Sequence, residues 1–155
     1  MKTVIQGFHL PRYQDLPNMG LYLEQTTKYI NHFLAPLGCI EITSSMISNY
    51  VKKDLIDNPV KKQYNRDQIA YLLFIALAKS VLSLDNLTLF IQLQQQTYPT
   101  DRAYEYLCDE LENALHYLFG WKEKMEFVGM DYTDEKFLLR DTVVAIAHKI
   151  YLDKC

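Results

Sequence analysis

ITSSMISNYVKKDLIDNPVKKQYNRDQIAYLLFIALAKSVLSLDNL, residues 42–87, decides how this chain folds. Thr43 or Ser44 can cap a short helix in which Ile47, Tyr50 and Val51 share one apolar face, and which ends near Lys53. Asp57-Asn58-Pro59 is turn chemistry, and Val60 to Tyr64 reads as a small extended arm. Asn65 and Gln68 make an N-x-x-Q variant of the capping box. The helix they open carries Ile69, Leu72, Leu73, Ile75, Ala76, Leu77 and Val81 on most of its sides, so it belongs at the centre of the core. Ser83 caps the next helix, with Leu84, Leu87 and Ile91 in register.

Outward from this stretch the period stays helical. Upstream, Leu10-Pro11 and Leu16-Pro17 bracket a turn-prone lead-in, after which Leu23, Thr26, Ile30, Phe33, Leu34 and Leu37 predict a helix from about Met19 to Leu34, stopped by Pro36 and Gly38. Downstream, the Ser83 helix runs to Gln94-Gln95-Gln96, and Thr100 caps a longer one. Its stripe of Tyr104, Leu107, Cys108, Leu111, Ala114, Leu115 and Leu118 ends at Gly120 and is wide enough to invite a second copy of the chain. A last helix, from Asp134 to about Leu152, buries Leu139, Val143, Ile146, Ala147 and Ile150. Period-2 alternation is confined to the Val60–Tyr64 arm, so the class is all-α.

At 155 residues, 49% hydrophobic and 23% charged, with 5 Gly and 5 Pro, the chain can bury a core of its own. No apolar run approaches the roughly 20 residues of a membrane span, and MKTVIQGFHLPRY lacks a signal-peptide core, so a cytoplasmic protein away from the membrane is expected. Cys39, Cys108 and Cys155 are scattered without C-x-x-C spacing, which predicts reduced thiols. His9, His32, His116 and His148 fall on different elements with no H-x-x-x-H or H-E-x-x-H pattern, so no metal is expected. Phosphate-cradling glycine motifs and the G-x-S-x-G elbow are absent, and Asp109-Glu110 and Asp134-Glu135 are adjacent pairs that diverge on a helix. A protein without cofactor or catalytic centre is the expectation.

Charge is unevenly distributed. Residues 1–80 carry 9 Lys+Arg against 6 Asp+Glu, and residues 81–155 carry 7 against 13. Lys52, Lys53, Lys61, Lys62 and Arg66 concentrate the positive charge, which suits phosphate or, more plainly, solvent. On the Thr43 helix, Ser45, Ser48, Asn49 and Lys52 sit at i, i+3, i+4 and i+7, on the face opposite the apolar one. In a DNA major groove Asn can bond an adenine edge twice, Ser can give or accept one bond, and Lys can reach guanine or phosphate.

The order of elements resembles the DNA-binding region of MerR-like winged helix-turn-helix regulators. Asn49-Tyr50 stands at the recognition-helix end, Asp54-Leu55-Ile56 at the Gly-Leu-Leu/Ile step, Lys62-Gln63-Tyr64 at the wing's closing Arg-x-Tyr, and Asn65 at the cap. Leu82-Ser83-Leu84 with Leu87 matches the Phe-Ser-Leu-x-x-Ile step. Asp54 replaces the usual Gly, the wing is only about seven residues long, and the first helix of the motif comes from before Gly38. HLPRYQDLPNMGLYLEQ, MISNYVKK and PVKKQYNRDQIAYL also resemble a bacterial family of uncharacterised small proteins that share this region. The resemblance implies a winged helix-turn-helix-like half, residues 1–87, packed with a C-terminal helical bundle, residues 88–155. It implies a transcriptional regulator that binds double-stranded DNA as a homodimer, with Ser45, Ser48, Asn49, Lys52, Lys53, Lys61, Lys62, Tyr64 and Arg66 as the contacting residues. A small-molecule or protein effector would then act on the C-terminal half, where Tyr98, Tyr104, Tyr106, Tyr117, Trp121 and Tyr132 could line a pocket or partner surface, or simply fill the core. The competing class is a non-enzymatic protein-interaction module that keeps the helix-turn-helix as a scaffold, in keeping with a pI near 5.8.

Overall fold

The computed structural model describes residues 5–38, 40–120 and 133–154. Among the described residues six α-helices of nine residues or more follow in order: α1 Leu23–Leu34, α2 Ser44–Lys52, α3 Arg66–Ala78, α4 Leu84–Thr97, α5 Thr100–Leu118 and α6 Asp134–Lys154. Extended pairing among the described residues is limited to two isolated bridges, Leu21 with Tyr64 and Val60 with Gln63. The fold is all-α.

α3 is the helix around which the rest assembles. Nearly every residue from Ile69 to Ala78 is buried, which an all-round apolar helix requires, and α1, α5 and α6 all pack on it. The reciprocal cap is formed: the Asn65 side chain accepts from the Gln68 amide at 2.9 Å and the Gln68 side chain accepts from the Asn65 amide at 2.8 Å. Ser83 likewise caps α4 by accepting from the Asn86 amide.

Two helix starts differ from the sequence pattern. α1 begins at Leu23 and not at Met19, because Leu21 exchanges backbone hydrogen bonds with Tyr64 and the Tyr22 amide donates to the Gln25 side chain. Thr100 is the first residue of α5, after Pro99, and gives no cap; its hydroxyl meets the Tyr71 hydroxyl at 3.0 Å. A tertiary partner took the hydroxyl that local geometry would have turned back on the helix.

The buried side chains on both sides of residue 87 form one cluster. α6 lies against α5, and the α5 stripe from Tyr104 to Leu115 is buried within the chain, with Leu118 partly covered. The stripe is therefore not an uncovered face awaiting a second copy. The lead-in also reaches across: Arg12 pairs with Glu105 at 2.9 Å and Asp109 at 2.7 Å, and the Tyr104 hydroxyl donates to the Pro11 carbonyl at 2.6 Å. No described helix is long and apolar enough to cross a membrane.

Candidate nucleic-acid interface

The placement of α2 is set by a side chain that no sequence pattern singled out. Asn31 on α1 clamps the backbone of Ile42, its amide donating to the Ile42 carbonyl at 2.7 Å and its oxygen accepting from the Ile42 amide at 2.9 Å. Thr43 accepts from the Met46 amide as N-cap, and Ser44 meets Thr27 of α1 at 2.8 Å. Ile47 and Tyr50 go into the core, which turns Ser45, Ser48 and Lys52 to solvent and leaves Asn49 half-buried. The Asn49 carboxamide has no hydrogen-bond partner among the described residues, so its donors and acceptor are available at the surface.

α2 ends in a Schellman turn. The Leu55 amide bonds the Tyr50 carbonyl at 2.9 Å and the Asp54 amide bonds that of Val51 at 3.1 Å, with Tyr50 and Leu55 both buried beneath. Asp54 sits at φ 61°, the left-handed position that glycine favours, so it does here what the glycine of the resembling regulators would do. Asp54→Gly should accordingly raise the unfolding free energy by about 1 kcal/mol, read by urea denaturation.

The arm after Pro59 is a two-residue hairpin. Val60 and Gln63 exchange both backbone hydrogen bonds, at 3.1 and 2.9 Å, across Lys61 and Lys62, which have φ 52° and 64°. Positive φ at both central residues is the turn for which Asn-Gly is preferred, and each left-handed lysine costs roughly 1–2 kcal/mol. The hairpin is tied down on three sides. Tyr64 pairs with Leu21 through bonds of 3.0 and 2.7 Å. A Cβ built on Gly20 would lie 2.6 Å from the Gln63 Cβ and Oε1, so the Gln63 side chain packs directly on the Gly20 backbone. From α3, the buried Gln68 amide donates to the carbonyls of Asp57 and Asn58 at 2.9 and 3.1 Å.

Lys52, Lys53, Lys61 and Lys62 are exposed, and none makes an ion pair among the described residues. Three cations elsewhere are paired internally, Arg12 by Glu105 and Asp109, Lys136 by Glu110 and Lys149 by Asp153, whereas Lys28, Arg66 and Lys79 also make no ion pair among the described residues. Two of the nine expected contact residues are corrected. Tyr64 is 4% exposed, its ring in the core and its backbone in the bridge to Leu21. Arg66 faces the lead-in, donating to the carbonyls of Leu16 at 3.2 Å and Gln14 at 3.4 Å while its guanidinium lies over the Tyr13 ring. Core burial won the tyrosine, and unmet carbonyls of the lead-in won the arginine. The sequence reading also missed Met19, Tyr22 and Val60, which are 77%, 52% and 70% exposed beside the bridged segments. Large apolar side chains at the base of a basic hairpin were the signal.

Of the aromatic residues of the C-terminal half, Tyr98, Tyr104 and Tyr106 line one cavity, whereas Tyr117 is exposed; Trp121 and Tyr132 lie outside the described residues. Cys108 is buried, and burial pushes its thiol up to about 12 against the opposing pull of Tyr104 and Arg12, so it stays a thiol at neutral pH. Cys39 and Cys155 lie outside the described residues. No group of three or more His, Cys, Asp or Glu side chains converges among the described residues in a way that could hold a metal.

A family model described as a domain of unknown function (DUF1836) matches residues 11–107. That span contains all nine residues named above as contacts. No curated protein and no solved structure matches the chain.

Proposed function

We propose a DNA-reading role for this chain, which belongs to the DUF1836 family: a transcriptional regulator that holds α2 in the major groove and the Lys61-Lys62 hairpin against the phosphate backbone. The observation that carries the reading is the hairpin. Two lysines occupy backbone positions that cost stability and that other residues would fill better, on an arm clamped from three directions and left without internal counter-charges. Strain held this way indicates a task for the side chains. The exposed Ser45, Ser48 and Lys52, with the unbonded Asn49 carboxamide, supply base-edge donors and acceptors in the same segment. A cytoplasmic homodimer on two half-sites completes the reading, since helix-turn-helix proteins double their contacts that way.

The test separates reading from holding. Asn49→Ala should cost about 1–3 kcal/mol on a site selected from genomic fragments and little on random DNA. The double change Lys61→Asn/Lys62→Gly should stabilise the fold by about 1–2 kcal/mol while weakening both DNAs alike and lowering the salt slope by about 2. Wild-type protein that retards no genomic fragment at low salt would overturn the proposal. It would favour instead a protein-interaction module docking through the acidic half, where 13 Asp+Glu stand against 7 Lys+Arg.

A further inference from the structure

Three extended segments meet at the two backbone bridges, and together they have an inner and an outer face. Residues opposite one another in an antiparallel bridge share a face, and neighbours along a strand take opposite faces. Leu21 is bridged to Tyr64, and that pair faces inward, with Tyr64 buried and Leu21 packed against the core. Tyr22 and Gln63, each one step along, therefore point outward, and the bridge from Gln63 puts Val60 on the same side. The exposures agree: Tyr22 and Val60 lie largely in solvent, and the half-buried Gln63 packs on the bare backbone of Gly20. Met19, the most exposed of these side chains, extends the surface beyond Gly20.

Large apolar side chains grouped in water mark a surface for a partner. Its neighbours decide which partner fits. Lys61 and Lys62 follow Val60 directly, exposed and without an ion pair among the described residues. The exposed carboxylates nearest in sequence are Glu24, two residues after Tyr22, and Asp57, three before Val60. A second copy related by a twofold axis through this face would bring lysine against lysine. Duplex DNA matches the pairing of apolar and cationic groups: its phosphates take the lysines, and the apolar surface it offers beside them is the deoxyribose C–H groups that wall the minor groove.

We propose that the face of Met19, Tyr22 and Val60 packs on the deoxyribose walls of the DNA minor groove while Lys61 and Lys62 hold the adjoining phosphates. This contact rests on the DNA-reading role, which draws on α2 and the lysines alone, and adds three side chains to it. The triple variant Met19→Gln/Tyr22→Ser/Val60→Thr strips the face of apolar groups. Serine is a favoured N-cap for the start of α1 and threonine is β-branched like valine, so the melting temperature should hold. Titrated by fluorescence anisotropy with a duplex taken from genomic fragments, the triple variant should bind more than about tenfold more weakly than the wild type at every salt concentration, with the same salt slope, because apolar contacts release no counterions. Leu89→Ser, which removes an exposed leucine from α4, should leave binding unchanged. Should the triple variant melt lower, Val60→Thr alone carries the test, with about threefold weaker binding and the same slope. Undiminished binding by a folded variant, while the wild type binds, would overturn this contact and leave the DNA reading standing. A loss accompanied by a shallower slope, or by conversion of a dimer to a monomer in sedimentation, would overturn it too, by assigning the face to charge or to a second copy. A wild type that binds no duplex at any salt concentration would overturn both.

Discussion

With Lys52, Lys53, Lys61 and Lys62 all changed to Glu, the chain should no longer retard duplex DNA at any salt concentration at which the wild type does. The four ammonium groups are exposed and make no ion pair among the described residues, so their charge is free to displace counterions from phosphates. Four phosphate contacts correspond to a slope of roughly −3.6 in log K against log salt, or about a hundredfold loss of affinity between 50 and 200 mM. Reversing the sign at all four positions turns that attraction into repulsion. The fold should survive, because the side chains lie in solvent and a glutamate takes the left-handed turn no worse than a lysine does. Circular dichroism and a melting curve verify the fold, and electrophoretic retardation across a salt series reads the binding. Undiminished retardation by the four-Glu chain would remove α2 and the hairpin from the interface.

Lys136→Met should cost about 3–5 kcal/mol of stability. Glu110 is 2% exposed, and the 2.6 Å bond to Lys136 supplies the counter-charge that lets its carboxylate remain in the interior between α5 and α6. Removing one partner strands the other charge, whereas removing both in Glu110→Leu/Lys136→Met should leave stability within about 1 kcal/mol of the wild type or above it. Urea denaturation of the single and double variants gives the comparison. A single variant as stable as the wild type would mean that water reaches Glu110 and the pair is not sealed.

The helices of this chain were legible because their causes are local. A capping box, a run of apolar residues or a stripe at 3.6-residue spacing acts over one or two turns, and Asn65 with Gln68, Ser83, and the α5 and α6 stripes all form as their spacing predicts. The outward face of α2 followed in the same way, since burying Ile47 and Tyr50 obliges Ser45, Ser48 and Lys52 to face solvent. Tyr64 and Arg66 did not follow. A tyrosine at a wing end and an arginine at a helix start look the same in sequence whether they face DNA or the chain's own lead-in, and Leu16, Gln14 and Leu21 lie more than forty residues away.

By itself, then, the amino-acid order determined which segments are helical, where α2, α3 and α4 begin, and which face of α2 is polar, because each is set by neighbours within a few residues. Only the tertiary structure decided that α6 covers the α5 stripe, that Asn31 clamps the entry to α2, that Gln68 holds the base of the hairpin, and that Lys136 meets Glu110 beside an apolar cavity. Each of these joins groups that local geometry leaves free to choose among partners, and the choice is made when burial removes water as the alternative.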